Sequence, residues 1–353
     1  MVALGEVMAR LETPGCGRFQ QALPGVMDVT FAGAEASVAA SIAYLGGDAA
    51  FVSALPEHAI ADACVADLRS LGVDTRHILR TGHGRLGLYF FENGANQRPA
   101  NVIYDREGSS MALLPPEAYD WEAIFAGASW FFLSGITPAI SRNAAEVARV
   151  AVEEASVRGV RVAFDVNFRS KLWRWESGVE PRELAARTVR GLLPQVDLFI
   201  GGREDAGALL GIHACDAGGD PCLDVARQVV AEFPRMKQVA MTLRESISAS
   251  HNDWGGMLYD AALDQAFYAP LKDGGFAPYP ITNIVDRLGG GDAFSAGLLF
   301  ALGDSELSSP RQAVAFAVAA SCLSHSIQGD VNYSSRAEIE ALMGGATAGR
   351  VVR

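Results

Sequence analysis

The sequence predicts an α/β protein: a mostly parallel sheet flanked by helices on both faces, with a small β-sheet lid. Three observations predict it. Apolar extended runs alternate with helical periodicity across residues 130–242, the pattern of parallel strands joined by crossover helices. Residues 86–106 depart from it, with short extended runs around the turn-rich Glu92-Asn93-Gly94-Ala95-Asn96. Half of the 353 residues are hydrophobic, enough to cover both faces of a large sheet. No repeat, charge block or low-complexity linker divides the chain, so residues 1–353 read as one domain with a lid from about 7–31 and 85–108.

In chain order, residues 2–4 begin a strand and 5–11 continue with alternating character. Residues 14–17 form a turn and 19–31 are expected to be extended. Small and apolar residues at helical spacing over 33–45 stop at Gly46-Gly47. A strand over 49–54 and an amphipathic helix over 60–71, closed by Gly72, come next. The runs 86–91 and 102–106 join the segment 7–31 in a sheet too thin to fold alone. Strands at 130–133, 160–164 and 198–200 are followed by helices over 141–158, 182–193 and 203–210. A helix over 222–233 then precedes a strand at 238–242. Residues 246–269 lapse into hairpin-like runs. The alternation resumes at Ile284, with helices expected over 292–302, 310–327 and 335–343.

A net charge of −12 argues against nucleic acid or an anionic membrane as the main partner, so an anionic ligand must be gathered by local arginines and backbone amides. Five scattered cysteines suggest no disulfide framework, and the Cys215–Cys222 spacing beside His213 lacks the second pair of a zinc site. No basic region precedes an apolar run at the start, and no apolar segment reaches membrane length, which makes the cytoplasm the default expectation.

The chain is organised around residues 283–297, where a short apolar run enters Gly289-Gly290-Gly291 and Asp292 stands at the start of a small, apolar helix. Glycines bring backbone amides close to a ligand, and a helix N-terminus presents unpaired N–H groups with partial positive charge. Together they suit a phosphate. Asp292 is electrostatically misplaced there unless it takes a proton from a hydroxyl attacking that phosphate. The alternative is that the glycines make a turn and Asp292 caps the helix. A Walker loop and the dinucleotide glycine spacing are both absent.

Asp286-Arg287-Leu288-Gly289-Gly290-Gly291-Asp292-Ala293-Phe294 resembles the D-T-T-G-A-G-D-[AS]-F signature of the ribokinase (PfkB) carbohydrate kinases. The wording is similar to that of the 2-keto-3-deoxygluconate kinases within the family. The resemblance implies that Asp292 is the catalytic base and Gly289, Gly290 and Gly291 form the anion hole. Asp165-Val166-Asn167-Phe168-Arg169-Ser170-Lys171-Leu172-Trp173 resembles a segment of the sugar-acid branch whose Arg contacts the substrate, which implies a carboxylate clamp at Arg169; a planar guanidinium fork matches a carboxylate. A structural pairing of Arg169 with an acid is the alternative.

Phe31 to Ala39 resembles the family's G-G-[AG]-E-x-N-x-A, implying substrate contacts at Gly33 and Ala34, with Ser37 in place of the Asn. Tyr89, Tyr104 and Arg106 resemble lid positions that cover the substrate. Glu6 and Arg10 belong to a similar opening motif. Glu204 and Asp205 stand in an altered N-x-x-E region and imply metal-bound water; Thr242, Arg244 and Asn332 fall in nucleotide-binding regions, and His325 reads as structural.

The resemblance spans residues 5–332 and implies ATP and Mg²⁺, leaving a monovalent cation open. It implies phosphorylation of a primary hydroxyl of a sugar acid, 2-keto-3-deoxygluconate first. A neutral-sugar kinase such as a fructokinase, or a non-catalytic binding protein on the same fold, is the alternative. A homo-oligomer is expected, because a thin lid sheet leaves an exposed face.

Overall fold

The computed structural model describes residues 1–215 and 218–346. The first third of the chain supplies strands Val2–Leu4 (β1), Met8–Glu12 (β2), Asp28–Ala32 (β3), Ala50–Pro56 (β4), Ile78–Thr81 (β5), Gly87–Glu92 (β6) and Asn101–Asp105 (β7). The middle adds Trp130–Ser134 (β8), Arg161–Asp165 (β9) and Leu198–Ile200 (β10). The last third adds Gln238–Ser248 (β11), His251–Asp260 (β12), Gln265–Ala269 (β13), a short pair Leu271–Lys272 (β14) and Gly275–Phe276 (β15), and Tyr279–Ile281 (β16).

The main sheet runs β13-β12-β11-β10-β9-β8-β1-β4-β5, with β16 on β12. Its pairs from β11 to β5 are parallel, and β12, β13 and β16 form an antiparallel end. Both faces are buried, as the alternation within β1 shows. Val2 and Leu4 pack with Phe131, Phe164 and Phe199 against helices Arg142–Val157, Pro181–Leu192 and Pro221–Glu232. Ala3 faces the other way, with Phe51, Phe132 and Leu258, under helices Ala34–Tyr44, Gly290–Gly303 and Pro310–Ser324. A two-sided sheet of this kind needs near-continuous apolar strands, which is what the sequence supplies.

The lid is a separate four-stranded sheet, β3-β2-β6-β7, in which only β2 and β6 run parallel. Three residues, Gly5-Glu6-Val7, join β1 at the centre of the main sheet to β2 in the lid. Met8, Tyr89 and Phe91 cover the lid's inner face, with Tyr104 and Leu288 packed against them. The outer face carries one apolar row, Val29–Leu11–Phe90–Ile103, across all four strands.

Four expectations need correction. Residues 19–22 form a one-turn helix before β3, so 19–31 is not continuously extended. Ile284 is not in a strand: its N–H donates to Ser250 and that of Val285 to His325, and these scattered partners form no ladder. β11 continues to Ser248, far past residue 242, because β12 pairs along its whole length. The glycine-led helix begins at Gly290 with Gly289 as its cap, so Asp292 lies inside the first turn and does not cap it.

Candidate active site

A cleft of about 1050 Å³ lies between the carboxyl ends of the parallel strands and the lid, where ligands collect in open α/β sheets. A second hollow, of about 650 Å³, lies beside β5 around Leu79, Arg80 and Leu113, away from the glycine loop and Asp292.

The floor of the cleft is the glycine-led helix. Gly289 takes a left-handed φ of 80°, and a Cβ there would meet the Asp330 carbonyl oxygen at 2.5 Å, so both conformation and space require glycine. The first intrahelical bond runs from the Ala293 N–H to the Gly289 carbonyl (2.7 Å), which leaves the amides of 290–292 unpaired within the helix. Nothing lies within 4 Å of a Cβ placed on Gly291, which is exposed and lines the cleft. His325 sits beneath Gly290, buried, its Nδ1 against the Ser321 carbonyl oxygen (2.7 Å) and its ring edge-on to Trp254, a supporting position.

Asp292 opens from this turn into the cleft. Its carboxyl is held well above the usual range by burial first, then by Asp165, Asp330 and Glu35, and Arg169 opposes the shift. Asp165 closes β9 and is itself pushed up to about 7, by burial and then Asp205. Its Oδ1 accepts the Asn167 N–H (3.1 Å), and Asn167 adopts a φ of 36°, so the chain turns sharply after β9. That turn delivers Arg169 to the cleft, exposed, with one bond to the Phe168 carbonyl (3.3 Å) and, among the described residues, no carboxylate within 4.0 Å.

The other expected sugar-side residues gather here. Gly33 lies hard against the Glu6 carbonyl, which a Cβ would meet at 2.1 Å, and Ala34 begins the following helix at the cleft wall. The Tyr89 hydroxyl donates to Asp330 (3.0 Å), and Tyr104 stands beside it with ring centroids 6.3 Å apart. Arg106 lines the cleft but is not a free charge: its Nε donates to Glu6 Oε2 at 2.5 Å.

Thr242 and Arg244 line the opposite wall from β11. Asn332 does not reach the cleft. It is buried, donating from Nδ2 to the Ala320 carbonyl (3.0 Å) and accepting the Ser334 N–H (3.0 Å), so its amide shapes a loop and the expected nucleotide contact is corrected. Glu204 and Asp205 both face the cleft from the short helix after β10, and Asp205 accepts the Gly202 N–H (2.9 Å). Burial raises the Asp205 carboxyl. Among the described residues no three His, Cys, Asp or Glu side chains form a direct cage for a metal ion.

Sequence reasoning named Arg10 without assigning it a task. Arg10 is fully buried and joins Glu12 (2.7 Å), Asp286 (2.5 Å) and Asp330, over the Phe91 ring. Asp286 in turn accepts the Leu288 N–H (2.9 Å) and the Gly329 N–H (3.0 Å). One guanidinium therefore ties lid strand β2 to the two loops that frame the glycine turn. A signal existed in the sequence, an arginine among the apolar residues of a short strand, but Asp286 and Asp330 lie 276 and 320 positions away.

The family model for pfkB family carbohydrate kinases matches residues 2–247. The chain belongs to that family. This PfkB kinase is 38% identical to the 2-dehydro-3-deoxygluconokinase of Thermotoga maritima, with a TM-score of 0.87 and 98% of each chain covered. It is 30% identical over 349 residues to the 2-dehydro-3-deoxygalactonokinase of Haloferax volcanii, covering 99% of this chain and 98% of the relative. A fructokinase from Xylella fastidiosa solved with bound ATP shares the fold at 21% identity, with a TM-score of 0.75 and 98% of each chain covered. PfkB kinases use ATP and Mg²⁺. Among the described residues no helix is long and apolar enough to cross a membrane.

Proposed function

We propose that this kinase transfers the γ-phosphoryl group of ATP to the primary hydroxyl of a 2-keto-3-deoxy sugar acid, with 2-keto-3-deoxygluconate as the first candidate and its galactonate epimer as the second. The observation that carries the reading is Arg169: an exposed guanidinium lining the cleft with Tyr104 and Arg106 that, among the described residues, makes no ion pair within 4.0 Å, while its charge bears on Asp165, Asp205 and Asp292. In a chain of net charge −12, an exposed guanidinium that no carboxylate holds by direct contact among the described residues favours an anionic acceptor. The relatives at 38% and 30% identity, kinases of the two epimers, support the same substrate class.

Asp292 takes the hydroxyl proton as the oxygen attacks phosphorus, and its raised carboxyl makes it a stronger base once ionised. The amides of 290–292 meet the charge that develops on the transferred group, as fixed dipoles needing no reorganisation. Thr242 and Arg244 form the nucleotide wall. Glu204 and Asp205 would hold Mg²⁺ through water, because Mg²⁺ keeps much of its hydration and binds by one or two carboxylates plus phosphate oxygens. That ion supplies charge neutralisation to the phosphates. The lid keeps competing water from the phosphoryl group.

Glu6 changes the weight of the lid arginine. Arg106 arrives paired with Glu6, so Arg169 is the guanidinium left open to contact by an acceptor carboxylate, and Arg106 acts by orientation. A coupled assay across aldonic, ketoaldonic and neutral sugars tests the reading. Turnover with the ketoacids and not with fructose is the expected result; preference for fructose would make this a neutral-sugar kinase, and absence of any turnover a binding protein. Arg169→Ala is expected to raise KM for the acid about ten- to a hundredfold, the worth of a charged hydrogen bond, and to leave KM for ATP in place. The reading also places the enzyme in the cytoplasm, where ATP is available, as a homo-oligomer.

A further inference from the structure

Two kinds of bond fasten the lid to the main body. Toward the β1–β2 connection the fastening is ionic and buried, Arg106 on Glu6 and Arg10 on Asp286 and Asp330. The parallel register of β2 and β6 carries the chain away from that connection, so the turn from β6 to β7 is the lid's far end. It is a tight turn: Ala95 and Arg98 exchange N–H···O bonds (3.0 and 2.9 Å), with Asn96 left-handed at a φ of 50°. Arg98 stiffens it, donating to Glu92 (3.1 Å) and to the Cys16 carbonyl (2.6 Å).

This tip is seated on the turn between β11 and β12. The Ala249 N–H donates to the Asn96 carbonyl (2.6 Å), the Asn96 N–H to Ser250 Oγ (3.1 Å), and Asn93 Nδ2 to the Val285 carbonyl (3.1 Å). A Cβ on Gly94 would lie 3.1 Å from that of Ala249, so the two turns are in close contact. The receiving turn is braced in its own right, the Ser250 carbonyl accepting the Ile284 N–H (3.2 Å) and the Ser248 carbonyl accepting Arg287 Nη1 (3.2 Å). None of residues 93–98 or 248–250 lines the cleft, so contact with a ligand does not account for them.

Fastenings of unequal strength part in order. Breaking a buried ion pair is costly, whereas a neutral hydrogen bond at the surface exchanges for one to water at little cost. The tip bonds are neutral, with Asn96 exposed and Asn93 and Ser250 half-buried, so the tip lifts before the other end yields. Resting on the acceptor reading above, we propose that the β6–β7 tip and the β11–β12 turn form a latch. An acceptor held by Tyr104 and Arg106 on the lid seats the tip, and the tip lifts for the acceptor to leave. Asn93, Asn96 and Ser250 then set how long the acceptor stays without touching it, because apparent affinity scales with the fraction of molecules in the seated form.

Amide hydrogen exchange, read by mass spectrometry over 93–98 and 248–250, and stopped-flow release of 2-keto-3-deoxygluconate or its galactonate epimer test this. The proteins are the wild type, Asn93→Ala, Ser250→Ala, the double variant, and Gln97→Ala as a control, an exposed tip residue outside the latch bonds. The ketoacid is expected to slow exchange over 248–250 in the wild type and the control, although that turn does not line the cleft. In the double variant exchange should stay fast and the ketoacid should leave about five- to a hundredfold faster, the worth of two neutral hydrogen bonds, with each single variant between. ADP affinity, by calorimetry, should match the wild type throughout. The proposal is overturned if the ketoacid leaves exchange over 248–250 unchanged, which marks a fixed joint, or if the double variant releases it at the wild-type rate. It is also overturned if ADP affinity falls as far as ketoacid affinity, which marks a distorted β11–β12 wall. A wild type that binds neither epimer would overturn the acceptor reading itself, and is thereby told apart from failure of the latch alone.

Discussion

On the proposed mechanism Asp292 meets two opposed demands, to be ionised when the acceptor arrives and to remain beside a triphosphate. Its neighbours Asp165, Asp330 and Glu35 raise its proton affinity and Arg169 lowers it. The rate should therefore rise with pH as Asp292 loses its proton. Asp165→Asn removes a like charge, so the acidic limb of kcat/KM is expected to move to lower pH, whereas Arg169→Ala should move it higher; pH–rate profiles of the three proteins check both directions. Asp292→Asn should lower kcat by about 10²–10⁴-fold with ADP binding retained, measured by coupled assay and calorimetry. Because Gly289 is the helix cap, that variant should unfold at the wild-type temperature. Stability carries its own sign. The folded pKa of Asp165, about 7, exceeds its ordinary 3.8, so its contribution is full below 3.8 and is lost as pH rises to 7. Asp165→Asn should flatten that decline, as read by thermal unfolding across the window.

Single elements show what was legible and what was not. The parallel strands were readable because burial on both faces forces continuous apolar runs, and the lid because its strands are short and turn-bounded. The apolar residues of 284–285 looked like one more strand. Their backbone bonds instead go to Ser250 and His325, and Asp286 spends its carboxylate on Leu288 and Gly329. Period cannot report such bonds, since they depend on partners distant in sequence. The same holds for Glu6 against Arg106 and for Asn332 under the Ala320 carbonyl. Most of the motif residues converge on one cleft, with Asn332, Glu6 and Arg10 outside its lining, while the neighbours that set their charge are ones no spacing shows. Arg10 is the strongest such case. Arg10→Met should leave Glu12, Asp286 and Asp330 without their counter-ion and cost about 3–5 kcal/mol in urea unfolding, the range for breaking a buried ion pair.

For the molecule as a whole, the outer row of the lid, Val29–Leu11–Phe90–Ile103, is the apolar surface to watch, with Val29 58% and Ile103 49% exposed. Light scattering is expected to report an oligomer, and the double variant Val29→Glu, Ile103→Glu to report a monomer that still turns over; an oligomer unaffected by both charges would place the contact elsewhere.

The short connection from β1 to β2 has a mechanical consequence. Gly5-Glu6-Val7 links a strand locked in the centre of the main sheet to the one that bears the lid; Glu6 and Val7 press on Gly33, and Glu6 holds Arg106. The connection thus lies directly behind Gly33, which lines the cleft. On the proposed function, an acceptor too long for the cleft would press on Gly33 and, through Glu6 and Val7 behind it, on the connection that bears the lid. On that reading the cleft would gauge the length of its acceptor as a caliper does.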